Sequence, residues 1–92
     1  MGRLPFRQQT LHDVFFKDTP RGSEVEIRYM YGRVYQDMSC ANQMATRPGG
    51  VRYMQQSLGP TIQRLNQRLA PEGLVIRPGK TKQTYVLDTV RE

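Results

Sequence analysis

The stretch LGPTIQRLNQRLAPEG, residues 58–73, predicts a helix with one apolar side. Pro60 suits the first turn of a helix, because the amide that proline lacks would have no partner there. Apolar residues then recur at helical spacing, at Ile62, Leu65 and Leu69. The Ala-Pro-Glu-Gly sequence that follows is expected to end this helix.

Residues 74–87, LVIRPGKTKQTYVL, change to the alternation that is typical of strands. Two β-rich runs, residues 74–77 and 83–87, flank a Pro-Gly pair, and such a pair between two runs marks a turn. The stretch therefore predicts a terminal β-hairpin whose tip, Lys80-Thr81-Lys82, is basic.

Upstream of this region, the sequence predicts a second, shorter helix. Val51, Met54 and Leu58 recur at i, i+3 and i+7, and the Gly-Pro pair at residues 59–60 is expected to stop the helix. The RPGG sequence at residues 47–50 is a strong helix breaker. Residues 39–50 are accordingly expected to form a loop, in which residues 41–45 could make one helical turn.

Another helix start is predicted at Ser23. Ser23 and Glu26 have the spacing of a capping box, in which each side chain accepts a hydrogen bond from the other residue's amide. Apolar residues then follow the helical period as far as Met38. Residues 25–31 also alternate as a strand would, but Arg33 breaks that alternation, so a helix is favoured.

The first 22 residues are expected to form an arm and a short helix. Residues 1–9 are polar and basic, and they are interpreted as an arm without a helix of its own. Thr10 has the position of a helix N-cap, and the helix is expected to run to about Lys17. Turn-forming residues at 18–22 then end it.

Length and charge narrow the function. Ninety-two residues build one domain, and thirty of them are Leu, Val, Ile, Phe, Met or Tyr, enough for one core but not for a deep cavity. The formal net charge is +6, of which residues 47–92 carry +5, with eight Lys or Arg against three Asp or Glu. This asymmetry indicates a polyanionic partner that binds the C-terminal half.

The chain has one cysteine, Cys40, and one histidine, His12. It cannot form an internal disulfide or assemble a tetrahedral Cys/His metal site by itself, so no metal or cofactor is expected. The start has no apolar run, so neither secretion nor membrane insertion is expected, and a cytoplasmic location is predicted. No nucleophile, base and orienting group stand together in the sequence, so an enzyme is not expected.

The order of these elements resembles a winged helix-turn-helix over about residues 23–87. Residues 58–69, followed by 73–76 and 84–87, resemble the recognition helix and wing of bacterial transcription regulators. They are similar in particular to the effector domains of two-component response regulators, in which an Ile-x-x-Leu-x-x-x-Leu helix precedes a hairpin that closes on a Tyr-x-Leu strand. The N-terminal arm and the Gly-Pro pair at 59–60 depart from that family's pattern.

The resemblance implies an α+β fold, a small winged helix-turn-helix with three to four helices followed by a C-terminal β-hairpin wing. Residues 1–22 would be the N-terminal arm and short helix, and residues 23–92 the winged-helix domain. The implied function is sequence-specific binding of double-stranded DNA by a small transcriptional regulator that acts by occupying a site. The helix around residues 60–70 would read the major groove, and the wing around residues 77–82 would contact phosphates or the minor groove.

The residues expected to bind DNA have side chains suited to bases or phosphates. Arg can donate two hydrogen bonds to guanine and Gln can pair with adenine in the major groove, while Lys and Arg also neutralise phosphates. Three candidates lie on the shorter helix before Pro60, five on the predicted recognition helix and three on the hairpin. In that order they are Arg52, Gln55, Gln56, Thr61, Gln63, Arg64, Gln67, Arg68, Arg77, Lys80 and Lys82.

Dimerisation on paired half-sites would strengthen the specificity of so small a domain. The expected dimer surface is the exposed remainder of the chain, including the predicted helix at residues 10–17 with Phe15 and Phe16 adjacent. Two other functions stay open: an adaptor that docks on the transcription machinery, and a small RNA-binding protein.

Tyr29, Tyr31, Tyr35 and Tyr53 could stack on the bases of a single strand. Packing in the core, with the hydroxyl at the surface, is the favoured interpretation of these tyrosines.

Overall fold

A computed structural model describes residues 4–90, which form four α-helices and a three-stranded antiparallel sheet. The α+β class and the winged-helix-like layout expected from the sequence are confirmed. The elements in chain order are α1 (Phe6–Asp13), a π-helical continuation (Val14–Asp18), β1 (Glu24–Glu26), α2 (Ile27–Val34), α3 (Met38–Ala45), α4 (Gly50–Leu69), a 3-10 turn (Ala70–Glu72), β2 (Leu74–Pro78) and β3 (Thr84–Thr89).

The sheet has the order β1-β3-β2, so the last strand is central. The predicted hairpin is present: β2 and β3 pair with Ile76 opposite Leu87, and the Gly79 amide donates to the Thr84 carbonyl at 2.9 Å to close the tip. On its other side β3 pairs with β1, with Val25 opposite Tyr85.

One hydrophobic core joins every helix to the sheet. It is centred on α4, whose buried side chains face α1, α2 and the hairpin. Its buried members are Leu11, Val14, Phe15, Val25, Ile27, Met30, Val34, Ala41, Met54, Leu58, Ile62, Leu65, Leu69, Leu74, Ile76 and Leu87.

The N-terminal helix begins earlier than predicted, at Phe6 instead of Thr10. Thr10 does not cap a helix: it is buried, and its hydroxyl donates to the Phe6 carbonyl at 3.0 Å. Leu11 and Phe15 anchor this helix in the core, and Phe15 is only 2% exposed. The expectation that Phe15 forms a dimer surface is therefore wrong, because its ring is already covered within the monomer.

The predicted helix from Ser23 to Met38 is divided in the structure into β1, α2 and the first residue of α3. Pairing of β1 with β3, sixty residues away, overrides the local capping signal. The two carboxylates of the region bond elsewhere, Glu24 to the hairpin tip and Glu26 to Arg28. Helix α2 starts only at Ile27, whose amide donates to the Gln83 carbonyl at 2.8 Å.

Residues 39–50 are not the predicted loop, since α3 occupies Met38–Ala45. The Asp37 carboxylate accepts from the Cys40 amide at 2.9 Å, which caps the helix. The turn into α4 depends on two glycines. Gly49 has φ = +76°, and a Cβ on Gly50 would lie 1.7 Å from the Met44 carbonyl oxygen.

The two helices predicted on either side of Gly59-Pro60 are one helix, α4. Proline inside a helix costs about 3 kcal/mol or more, partly through a clash with the Cβ of the preceding residue. Gly59 has no Cβ, so that clash is absent. Met54 and Leu58 before the proline and Ile62 and Leu65 after it share one buried face. Each such side chain contributes about 1.5–3 kcal/mol when buried, which together outweighs the cost.

Candidate nucleic-acid interface

Helix α4 presents most of the predicted DNA-binding residues to solvent. Its apolar side faces the core, and the opposite side is open. Seven of the eight candidates on this helix are exposed, namely Arg52, Gln55, Gln56, Gln63, Arg64, Gln67 and Arg68, whereas Thr61 is half-buried.

The candidates on α4 are spread over a long distance. Arg52 and Arg68 are sixteen residues apart in the same helix. At 1.5 Å per residue this is about 24 Å along the axis. The structure therefore separates the candidates into two groups. The proximal group, near the N-terminus of α4, is Arg52, Gln55 and Gln56, and the distal group contains the candidates from Gln63 onward.

A groove brings the proximal group together with the hairpin. One part, of about 500 Å³, is lined by Ala45, Arg47, Gly49, Val51, Arg52, Gln55 and Gln83. An adjoining part, of about 250 Å³, is lined by Glu26, Ile27, Arg28, Ala45, Thr46, Lys82 and Gln83. Because the two parts share Ala45 and Gln83, we treat them as one feature, the wing groove. Arg52, Gln55 and Lys82 thus line a single surface, to which Arg47 adds a charge that sequence analysis had not assigned. Arg28 lies at the same surface, but Glu26 neutralises it at 2.7 Å.

The hairpin tip is held by Glu24 on β1. Its carboxylate accepts from the Lys80 amide at 2.7 Å and from the Thr81 amide at 3.3 Å. Hydrogen bonding by the Thr81 side chain, and next by the Lys80 backbone, lowers the pKa of Glu24 below its ordinary value. The tip is therefore fixed to the sheet by a contact that sequence analysis missed, since Glu24 had been placed in a helix start.

Arg77, on the hairpin, has a different environment from Lys82. Its guanidinium forms an ion pair with Asp88 on the neighbouring strand, with Nε 3.0 Å from Oδ2. Asp88 neutralises this cation at the surface. Lys82, by contrast, reaches the wing groove without an ion pair to any residue within 4–90.

The acids of the protein are largely engaged away from α4. Asp18 accepts from Arg33 at 2.7 Å and from the Tyr29 hydroxyl at 2.9 Å, and the Arg33 hydrogen bond lowers the pKa of Asp18. Asp13 lies 3.8 Å from Lys17, and Asp37 caps α3. Within the described part of the chain, eight Lys and Arg side chains have no ion pair. Two of them, Arg7 and Arg21, precede β1, and the other six are Arg47, Arg52, Arg64, Arg68, Lys80 and Lys82.

Asn66 is a further residue that sequence analysis missed. It lies between the buried and exposed sides of α4, and its amide bonds both backbone groups of Ile76 on β2, at 2.9 and 2.8 Å. The hairpin is thereby attached, at the middle of β2, to the last turn of α4. A polar amide next to buried leucines was the signal that could have revealed it.

Tyr53 is exposed, contrary to the expectation that it packs in the core. Its side chain is 55% accessible, whereas Tyr29, Tyr31 and Tyr35 are partly buried against the core, as predicted. The Tyr53 ring meets the edge of Tyr31, with the centroids 6.5 Å apart and the planes at 63°.

Within residues 4–90, none of the helices combines the length and apolar character needed to cross a lipid bilayer. The same residues contain no cluster of His, Cys, Asp or Glu that could hold a metal ion. No known family, curated protein or solved structure shows a significant match to this chain.

Proposed function

We propose that this protein binds double-stranded DNA with α4 and the wing groove, and that it regulates transcription by occupying its site. One observation carries the proposal: six cations without an ion pair lie on α4, on the turn before it and at the hairpin, while α4 itself carries no Asp or Glu. A surface that only kept the protein soluble would usually mix the two signs.

The dimensions of α4 support insertion into the major groove. That groove is about 12 Å wide and admits a helix. In helix-turn-helix proteins the N-terminal residues of the recognition helix contact base edges. The same end of α4 adjoins the hairpin here, so the helix end and Lys82 can engage one stretch of duplex together.

This geometry moves the proposed base contacts toward the N-terminus of α4. Arg52, Gln55 and Gln56 face the bases, and Arg47 and Lys82 neutralise phosphates on either side. The positive end of the α4 dipole lies beside Arg47 and favours the same phosphates. Distal Arg64 and Arg68 then contact the flanking backbone instead of bases.

Fluorescence anisotropy tests the proposal, with labelled duplex DNA, single-stranded DNA and duplex RNA titrated over a series of salt concentrations. We expect duplex DNA to bind most tightly. Its log affinity should fall with log salt at a slope of about −3 to −5, since each neutralised phosphate contributes about −0.9. Equal binding to duplex RNA would contradict major-groove reading, because the A-form major groove is too narrow for side chains to read. Failure to bind any nucleic acid at low salt would overturn the proposal and favour docking on an acidic protein.

A further inference from the structure

Tyr53 lies among the proposed base-reading residues without a structural reason to be exposed there. It is three residues before Gln56, and side chains at this spacing are neighbours on a helix. At 100° per residue, Arg52, Gln56 and Tyr53 fall within an arc of about 100° on the open side of α4. The ring thus shares the surface that would enter the groove.

The ring of Tyr53 is supported on one side only. Tyr31 meets it edge-on, and Tyr31 itself packs against Tyr35, at 4.5 Å between centroids, and against the core. The Tyr29 hydroxyl donates to the Asp18 carboxylate, and the Tyr35 hydroxyl donates to the Ser57 carbonyl. The Tyr53 hydroxyl has no such bond within residues 4–90. The ring is therefore positioned by its edge contact with Tyr31 and leaves an apolar surface open to solvent.

We infer that Tyr53 is a specificity-determining residue that recognises the 5-methyl group of thymine in the major groove. The inference rests on the proposed function. Among the base edges in that groove, the thymine methyl is the one apolar group. Gln56, next to Tyr53, has the side chain that pairs with adenine, and the thymine partnered with that adenine presents its methyl in the same groove. The two residues together therefore favour an A·T pair.

A uracil scan tests this inference. A duplex is selected by the wild-type protein from a randomised library, and each thymine is then replaced singly by uracil, which removes only the methyl group. At one or two positions we expect the wild type to lose about fourfold in affinity, the equivalent of one buried methyl. Tyr53→Ala should bind the thymine and uracil duplexes equally, and Tyr53→Phe should keep the wild-type preference.

Phe6→Ala is the matched control, because Phe6 is another exposed aromatic residue, 63% accessible, on a different helix. It should leave the uracil scan unchanged, and circular dichroism shows whether each variant is folded. The inference is overturned if every uracil is neutral for the wild type, or if the loss persists in Tyr53→Ala, while duplex binding itself still stands. A preference of the wild type for single strands that disappears in Tyr53→Ala would instead assign the ring to base stacking. Absence of any duplex binding overturns both proposals.

Discussion

The side-chain amide of Asn66 hydrogen-bonds both backbone groups of Ile76: Nδ2 donates to the carbonyl at 2.9 Å, and Oδ1 accepts from the amide at 2.8 Å. In the hairpin, backbone hydrogen bonds join Gly79 to Thr84 and Gly73 to Val90, and in an antiparallel pair only every second residue of a strand bonds across. Ile76 lies between such residues, so its backbone N–H and C=O point away from β3. Asn66 therefore satisfies the outward backbone groups at the middle of β2, on an edge where another strand could otherwise pair.

Asn66→Ala should lower the free energy of unfolding by about 1–3 kcal/mol, because two hydrogen bonds are lost and the Ile76 groups are left without partners. Urea denaturation measures this. Gln67→Ala, one residue along on the exposed side, is the control and should stay within about 0.5 kcal/mol of wild type. If the two variants are equally stable, Asn66 does not hold the hairpin.

The cations at the hairpin and at the start of α4 should contribute unequally to the salt dependence of DNA binding. Lys82→Ala and Arg52→Ala each remove an unpaired cation at the wing groove, so each should make the salt slope shallower by about one unit. Arg77→Ala removes a cation that Asp88 already neutralises, and it should change the slope less. Anisotropy titrations at four salt concentrations measure these slopes. An effect of Arg77→Ala equal to that of Lys82→Ala would show that the ion pair opens in the complex.

Base reading should depend on the proximal half of α4. Gln56→Ala should relax specificity at one position of the selected site, where a good bidentate contact discriminates by about 1–3 kcal/mol. Gln67→Ala removes the same type of side chain about 16 Å further along the helix, at 1.5 Å per residue, and it should leave the preferred sequence unchanged. Repeating the selection with both variants provides the comparison. If Gln67→Ala changes the preferred sequence and Gln56→Ala does not, the base contacts lie at residues 63–68 instead.

The sequence predicted the hairpin and the C-terminal part of α4 because their signals are local. The Pro-Gly turn and the spacing of Ile62, Leu65 and Leu69 decide those elements within a few residues. The strand at Glu24–Glu26 was missed because it exists through pairing with β3, which no local pattern reveals. The break expected at Gly59-Pro60 was wrong because burial on both sides of the proline outweighs its local cost.

The candidate site was predictable in its residue types and not in its arrangement. Basic and glutamine side chains on a predicted helix indicated which residues are exposed, and the structure places seven of those eight in solvent. The association of Arg52 with Lys82 depends on how the hairpin folds back along α4, a relationship between distant parts of the chain. Tyr53 was wrongly predicted to pack in the core, because an aromatic residue beside the apolar face of a helix is more often buried than exposed.

Stability should fall in acid partly through Asp18. Its folded-state pKa lies below the ordinary value, first because of the hydrogen bond from Arg33, so the charged form stabilises the native state. A group with a lowered pKa contributes stability above its unfolded pKa, near 4, and that contribution is lost as the pH falls through the folded value. Wild type should therefore exceed Asp18→Asn in stability at pH 7, and the difference should shrink below about pH 4.

Urea denaturation at pH 7, 5, 4 and 3 measures this difference in stability. Glu72→Gln is the control, since Glu72 has no ion pair within residues 4–90. A difference between wild type and Asp18→Asn that is the same at every pH would show that the Asp18–Arg33 contact acts through shape and not through charge.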